Sequence, residues 1–200
     1  DKMGTRIPEV SGMNNGCIRL FPVLMLLAIA VFAAGTLPAQ KSLAPYVPTP
    51  QYVVEKMLEL AQVTSSDVVY DLGCGDGRIV ITAAKKYGAH AVGIDIDPER
   101  IRESEAKARE AGVAGLVTFR LEDAMKADVS AATVVTLYLL SSSNEVLRPI
   151  LTRQLKPGAR IVSHAFGMGD WQPDKTELVP HESGFTRTIF MWIVDGKFRP

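Results

Sequence analysis

Hydrophobic and polar positions along residues 51–194 switch between a period near 3.6 and short apolar runs, which predicts helices alternating with strands. Val53, Val54, Met57, Leu58 and Ala61 share one face of a helix over about Gln51–Ala61. Thr49 suits the cap of that helix and Pro50 its first position. The apolar run Val68–Asp71 follows as a strand. Ile79, Val80, Ala83, Ala84 and Tyr87 mark a second helix, stopped by Gly88. Ala89–Ile94 is a strand, Pro98–Ala111 a charged and solvated helix ended by Gly112, and Leu116–Leu121 a strand. The β-branched run Ala131–Leu140 has no alternation, as expected of a central strand buried on both faces. A helix over Asn144–Leu155, a strand over Ala159–Ser163, and strands over Glu177–His181 and Thr186–Val194 joined by a Ser183-Gly184 turn complete the series. The pattern predicts an α/β domain over 51–200: a Rossmann-like, mostly parallel seven-stranded sheet, helices on both faces, and a C-terminal antiparallel hairpin.

The candidate chemistry sits where the first strand meets the second helix, in Asp71-Leu72-Gly73-Cys74-Gly75-Asp76-Gly77-Arg78. Glycines at every second position allow positive φ and let a ligand lie against the backbone. The free N–H groups at the following helix start favour a polar or anionic group. In an open α/β sheet this turn lies at the carboxyl end of a strand, where ligands bind. A dinucleotide fingerprint would need a third glycine at position 78, which is Arg78. A nucleotide such as NAD is thus the lesser alternative. Asp95, at the end of the next strand, can accept both hydroxyls of a ribose. Asp97 suits the first turn of the helix that begins at Pro98.

The chain's 200 residues carry 22 basic and 22 acidic side chains, and zero net charge argues against a nucleic-acid binder that works through a broad basic face. Cys17 and Cys74 are too differently placed for a structural disulfide, and His90, His164 and His181 are scattered, so no metal site is expected. Residues 1–12 look extraneous, with Met13 a plausible start. Residues 13–40 read as a signal peptide or a membrane anchor: Arg19 precedes a stretch from Leu20 to Gln40 without charge, and an anchor needs roughly 20 apolar residues. If uncleaved, residues 20–40 would contact a membrane. Residues 41–50 are a proline-rich linker.

The glycine turn with Asp71 ahead of it resembles motif I of the class I S-adenosylmethionine (SAM) methyltransferases. The resemblance implies SAM as co-substrate. Asp71 would meet the methionine end, Gly73, Gly75 and Gly77 would cradle the ligand, Asp95 would hold the ribose, and Asp123 would pair with the adenine amino group. Four blocks narrow it: Pro45-Tyr46-Val47-Pro48-Thr49-Pro50, Asp71 through Val80, Gly158 through Ser163, and Trp171-Gln172-Pro173. With the preceding apolar segment they resemble the membrane-anchored protein-lysine methyltransferases that act on the c-subunit of ATP synthase and on the adenine nucleotide translocase. Many bacterial methyltransferase-domain proteins look similar. Asp95 stands where those enzymes tend to have Glu, and the Ser141–Ser143 run is a departure. After the fourth strand the chain reads Tyr138-Leu139-Leu140-Ser141, not the Asn/Asp-Pro-Pro-Tyr of DNA and glutamine N-methyltransferases.

These features imply methyl transfer from SAM to an amine of a protein lysine. The alternatives are a small-molecule methyltransferase of the same fold and a tethered binding module without turnover. Tyr46, Tyr138, His164, Phe166 and Trp171 are the candidates for lining the acceptor's approach, since linker and strand-end loops carry them over the glycine turn. No catalytic residue stands out. The resemblance also poses a problem of side: Arg19 would leave the domain beyond the membrane, whereas SAM is made in the cytosol.

Overall fold

A computed structural model describes residues 43–181 and 184–200. The segments at 1–12 and 13–40, residues 41–42 of the linker and Ser183 of the hairpin turn lie outside the described residues. In chain order the elements are α1 (Gln51–Leu60), β1 (Val68–Leu72), α2 (Arg78–Tyr87), β2 (His90–Asp95), α3 (Pro98–Glu110), β3 (Val117–Leu121), β4 (Val134–Leu137), α4 (Ser141–Gln154), β5 (Arg160–His164), β6 (Lys175–Pro180) and β7 (Thr186–Ile193). The strands form one seven-stranded sheet in the order β3-β2-β1-β4-β5-β7-β6. β1 to β5 run parallel, and β7 is antiparallel to both β5 and β6. This is the fold class expected from the sequence.

Alternation along the strands sorts side chains into two cores. Val69, Ala91, Val134 and Val162 face α1 and α2, whose inner residues Val53, Met57, Val80 and Ala83 are buried with them. Tyr70, Ile94, Val135, Leu137 and Ile161 point the other way, onto Leu147 and Leu151 of α4 and onto Trp192. Full burial of one such side chain stabilises the fold by roughly 1.5–3 kcal/mol. β1 pairs with β2 on one side and β4 on the other, so the chain reverses its direction across the sheet at β1. That reversal opens a crevice at the carboxyl ends of β1 and β4.

Most expected boundaries move by a residue or two, and three differences have a physical reason. Pro50, not Thr49, caps α1, and Thr49 turns its hydroxyl to His164 instead. β4 covers only Val134–Leu137 of the apolar run, because Ala132 closes a turn onto the Val129 carbonyl and Leu140 already caps α4. α4 begins at Ser141, ahead of the expected Asn144. First-turn residues need no intrahelical acceptor for their N–H groups, so three serines fit there although their propensity is modest.

Candidate active site

The crevice holds a cavity of about 320 Å³, within the size range of ligand pockets. The tips of β1, β2 and β3 bring Asp71, Asp95 and Asp123 to its wall, with Gly73, Cys74, Gly75, Asp76 and Glu122 beside them. Tyr138 and Leu139, just after β4, close another side. A further wall is the contiguous segment from Leu43 to Thr49, and Arg78, Ile79, Asp97 and Arg100 also contribute to the lining.

Asp71 is almost wholly buried. Thr136 donates its hydroxyl to it at 2.7 Å. Burial nevertheless lifts the carboxyl to a pKa of about 7, and the Asp95 and Asp76 carboxylates add to the rise. The site thus strains against an anion at Asp71 and would relax beside a cation. Asp95 accepts the Gly75 N–H at 2.8 Å on Oδ2 and the Asp97 N–H at 3.0 Å on Oδ1. A carboxylate offers about four acceptor sites, so two remain for hydroxyls. Asp97 caps α3, accepting the Glu99 N–H at 2.8 Å, as its place in the sequence suggested. Asp123 accepts the Met125 N–H at 3.0 Å.

All three glycines of the turn adopt positive φ, at +80°, +54° and +76° for Gly73, Gly75 and Gly77. Their neighbours differ. A Cβ on Gly75 would stand 2.6 Å from the Tyr46 ring, and one on Gly73 would stand 3.0 Å from Leu139. A Cβ on Gly77 would stand 2.8 Å from Ser104 and 2.9 Å from Phe119. Gly77 is not on the cavity wall; it caps α2 and lets that helix approach α3 and β3. The close approach inferred from the glycines is therefore partly the protein's own.

Asp76, within the turn, was not singled out in the sequence. Burial pushes its carboxyl up, but bonds from Arg78 and Lys107 outweigh that and hold it at about 2. Arg78 grips it in a fork, Nε at 2.9 Å and Nη2 at 2.7 Å. Lys107 donates to it at 2.7 Å. Arg78 occupies the position where a dinucleotide fingerprint would carry glycine. Cys74 lines the cavity, and burial raises its thiol far above the ordinary range, so it is a packing residue.

Of the aromatic candidates, Tyr46 and Tyr138 line the cavity. His164, Phe166 and Trp171 do not. His164 is fully buried, its ring 3.9 Å from the Tyr138 centroid and its Nδ1 3.3 Å from the Thr49 hydroxyl. Burial, aided by the charge of Arg187, lowers its pKa to about 4 and keeps it neutral. It supports Tyr138 from below. Phe166 stacks at 6.2 Å on the Tyr138 ring from outside the cavity. Trp171 corrects the expectation most: its loop folds away onto β7, where its ring lies 6.0 Å from Trp192 and beneath Arg199 at 4.3 Å. A large indole gains more by covering the core than by reaching over the crevice. Among the described residues no group of His, Cys, Asp and Glu side chains could hold a metal ion, and no helix is long and apolar enough to cross a membrane.

The ANTKMT methyltransferase domain matches residues 71–175, from the tip of β1 to the start of β6. A protein-lysine N-methyltransferase of Saccharolobus islandicus is 47% identical over 152 residues, which span 75% of this chain and 93% of that protein. The chain belongs to the ANTKMT methyltransferase family. It is a SAM-dependent methyltransferase. The Homo sapiens lysine N-methyltransferase of the ATP synthase C-subunit is 33% identical over 150 residues, 73% of this chain and 64% of that one. The crystal structure of an RNA methyltransferase from Salinibacter ruber, in complex with S-adenosyl-L-homocysteine, is 54% identical with a TM-score of 0.71. That match covers 76% of this chain and 97% of the other. The cavity suits the family's co-substrate in size, in the buried Asp71 carboxyl on its wall, and in the acceptor sites left on Asp95.

Proposed function

We propose that this methyltransferase modifies a lysine side chain of a protein. The observation that carries the reading is the identity to a protein-lysine N-methyltransferase along nearly that protein's whole length. The balanced charge of the chain is in keeping with a protein acceptor. The RNA methyltransferase of Salinibacter ruber supplies a second reading, in which the acceptor is RNA.

In this proposal Asp71 meets the cationic methionine end of the co-substrate, Asp95 the ribose hydroxyls and Asp123 the adenine amino group. Gly73 and Gly75 form the floor, and Gly77 serves by turning the chain into α2. SAM supplies a methyl group on a sulfonium: the amine's lone pair forms the new C–N bond, the C–S bond breaks, and its electron pair stays on sulfur. The residues' part is to align the partners and exclude water. An acceptor lysine enters as the free amine, having lost its proton to solvent. Tyr138 and Tyr46 frame its approach with rings that tolerate a methylene stem. His164, held neutral, keeps a second positive charge away from it. The segment from Leu20 to Gln40 would then tether the domain to a membrane face where SAM is present, or be cleaved on export; alkaline extraction of membranes separates these fates.

The test incubates the full chain with cell extract and radiolabelled SAM. Label that protease removes and RNase leaves, found on lysine by mass spectrometry, is the expected outcome. RNase-sensitive label would replace the protein acceptor with RNA, and label in solvent-soluble material would point to a small molecule.

A further inference from the structure

The segment from Leu43 to Thr49 belongs to no strand of the sheet, yet it forms a whole wall of the cavity. Pro45 and Pro48 lack the N–H that a ladder would need. Side chains from four other elements contact it. At its start, Ser143 in the first turn of α4 donates its hydroxyl to the Leu43 carbonyl at 2.6 Å. At its end, Arg78 donates Nη1 to the Thr49 carbonyl at 2.9 Å, while its other two nitrogens stay on Asp76. The Thr49 hydroxyl meets His164 at the tip of β5. In the middle the Tyr46 ring lies against Gly75, and the Arg100 guanidinium sits 4.7 Å from its centroid.

We propose that Ser143 and Arg78 are positioning residues that hold the 43–49 strap shut over bound co-substrate, and that strap opening sets how fast the demethylated product leaves. The proposal rests on the reading that SAM occupies this cavity. Both ends of the strap are held by side chains on backbone carbonyls, so the hold is a small number of separable bonds and not a continuous ladder. Such bonds are individually weak against water, which suits an element that must open once in each turnover. The two holds come from opposite halves of the site, α2 beside the glycine turn and α4 beside the acceptor end. The serine run, unexplained by sequence, supplies one of them. Arg78, which replaces a fingerprint glycine, supplies the other. Ser143 is off the cavity wall, so removing its hydroxyl touches the strap alone.

The test follows release of radiolabelled S-adenosylhomocysteine, the demethylated product, from the full chain, chased with an excess of the unlabelled compound. Ser143→Ala is expected to speed release about 3–10-fold and Arg78→Gln more, with Arg78→Lys between Arg78→Gln and wild type. Independently, chymotrypsin should cut after the half-exposed Tyr46 in the free wild-type chain and be slowed at least fivefold by S-adenosylhomocysteine. Slower cutting by ligand in wild type, lost in Ser143→Ala, supports the strap. If ligand binds yet leaves cleavage at Tyr46 unchanged, or if release from folded Ser143→Ala matches wild type, the strap proposal is wrong. If wild type fails to bind SAM, the reading of the cavity itself falls, and the strap with it.

Discussion

The carboxyl edge of the sheet has two halves built from opposite materials. Over β1–β3 the strand tips carry acids, Asp71, Asp95 and Asp123, spaced around an open cavity. Over β4 and β5 the tips carry rings, with Tyr138 tilted against His164 and stacked on Phe166, packed and largely covered. The first half buries the Asp71 carboxyl where its charge is disfavoured, at a cost in stability. The second is a packed scaffold of rings in which the buried His164 Nε2 has no hydrogen-bond partner among the described residues. The contrast teaches that the half lined by acids carries electrostatic strain, whereas the half lined by rings is held by packing.

The largest expected effect that would test this contrast is at Asp71. Asp71→Asn should weaken SAM binding at least 100-fold by calorimetry. The same substitution should stabilise the unliganded fold at pH 8. The sign follows from linkage: the folded pKa of about 7 lies above the ordinary 3.8, so the proton-linked stability is full below about pH 4 and is lost as pH rises through 7. The thermal midpoint of the variant should therefore exceed wild type at pH 8 and approach it near pH 5. A variant less stable than wild type at pH 8 would contradict the strain at this acid.

Next in size is Asp95→Ala, expected to weaken SAM binding about 10–100-fold. It also removes the acceptor for the Gly75 and Asp97 N–H groups, so a modest loss of thermal stability accompanies it. Wild-type affinity for SAM should itself depend on pH. As pH falls below about 7 the free Asp71 takes up a proton, and affinity should drop by up to tenfold per unit. A titration series showing the same slope in Asp71→Asn would assign the proton elsewhere.

On the packed half, Tyr138→Ala should lower turnover about tenfold while the SAM dissociation constant stays within about twofold; Tyr138→Phe should restore most of it if the ring's shape is what counts. Equal damage to affinity and turnover would erase the division between the halves. The smallest effect concerns Ala165, which follows His164 at the tip of β5 with φ of +65°. Left-handed backbone costs a non-glycine residue about 1–2 kcal/mol, so Ala165→Gly should raise the thermal midpoint by a few degrees, net of glycine's greater unfolded entropy. A lowered midpoint would show that neighbours relieve this conformation.

The sequence alone determined the order of elements, the fold class, the glycine turn, and the acids at the strand tips. These follow from local periods and from backbone geometry that glycine and aspartate report wherever they occur. Its limits are equally specific. It set Tyr46, Tyr138, His164 and Trp171 side by side as candidates, and nothing local distinguishes a ring on a cavity wall from one packed onto Trp192. It could not show that Asp76 would be neutralised by Lys107, a partner 31 residues away. Only the tertiary structure decided that the proline-rich linker forms a wall, that Ser143 and Arg78 hold it, and that Gly77 serves helix packing. Each of these depends on contacts between segments far apart in the chain, where burial and partner choice, not propensity, set the energy.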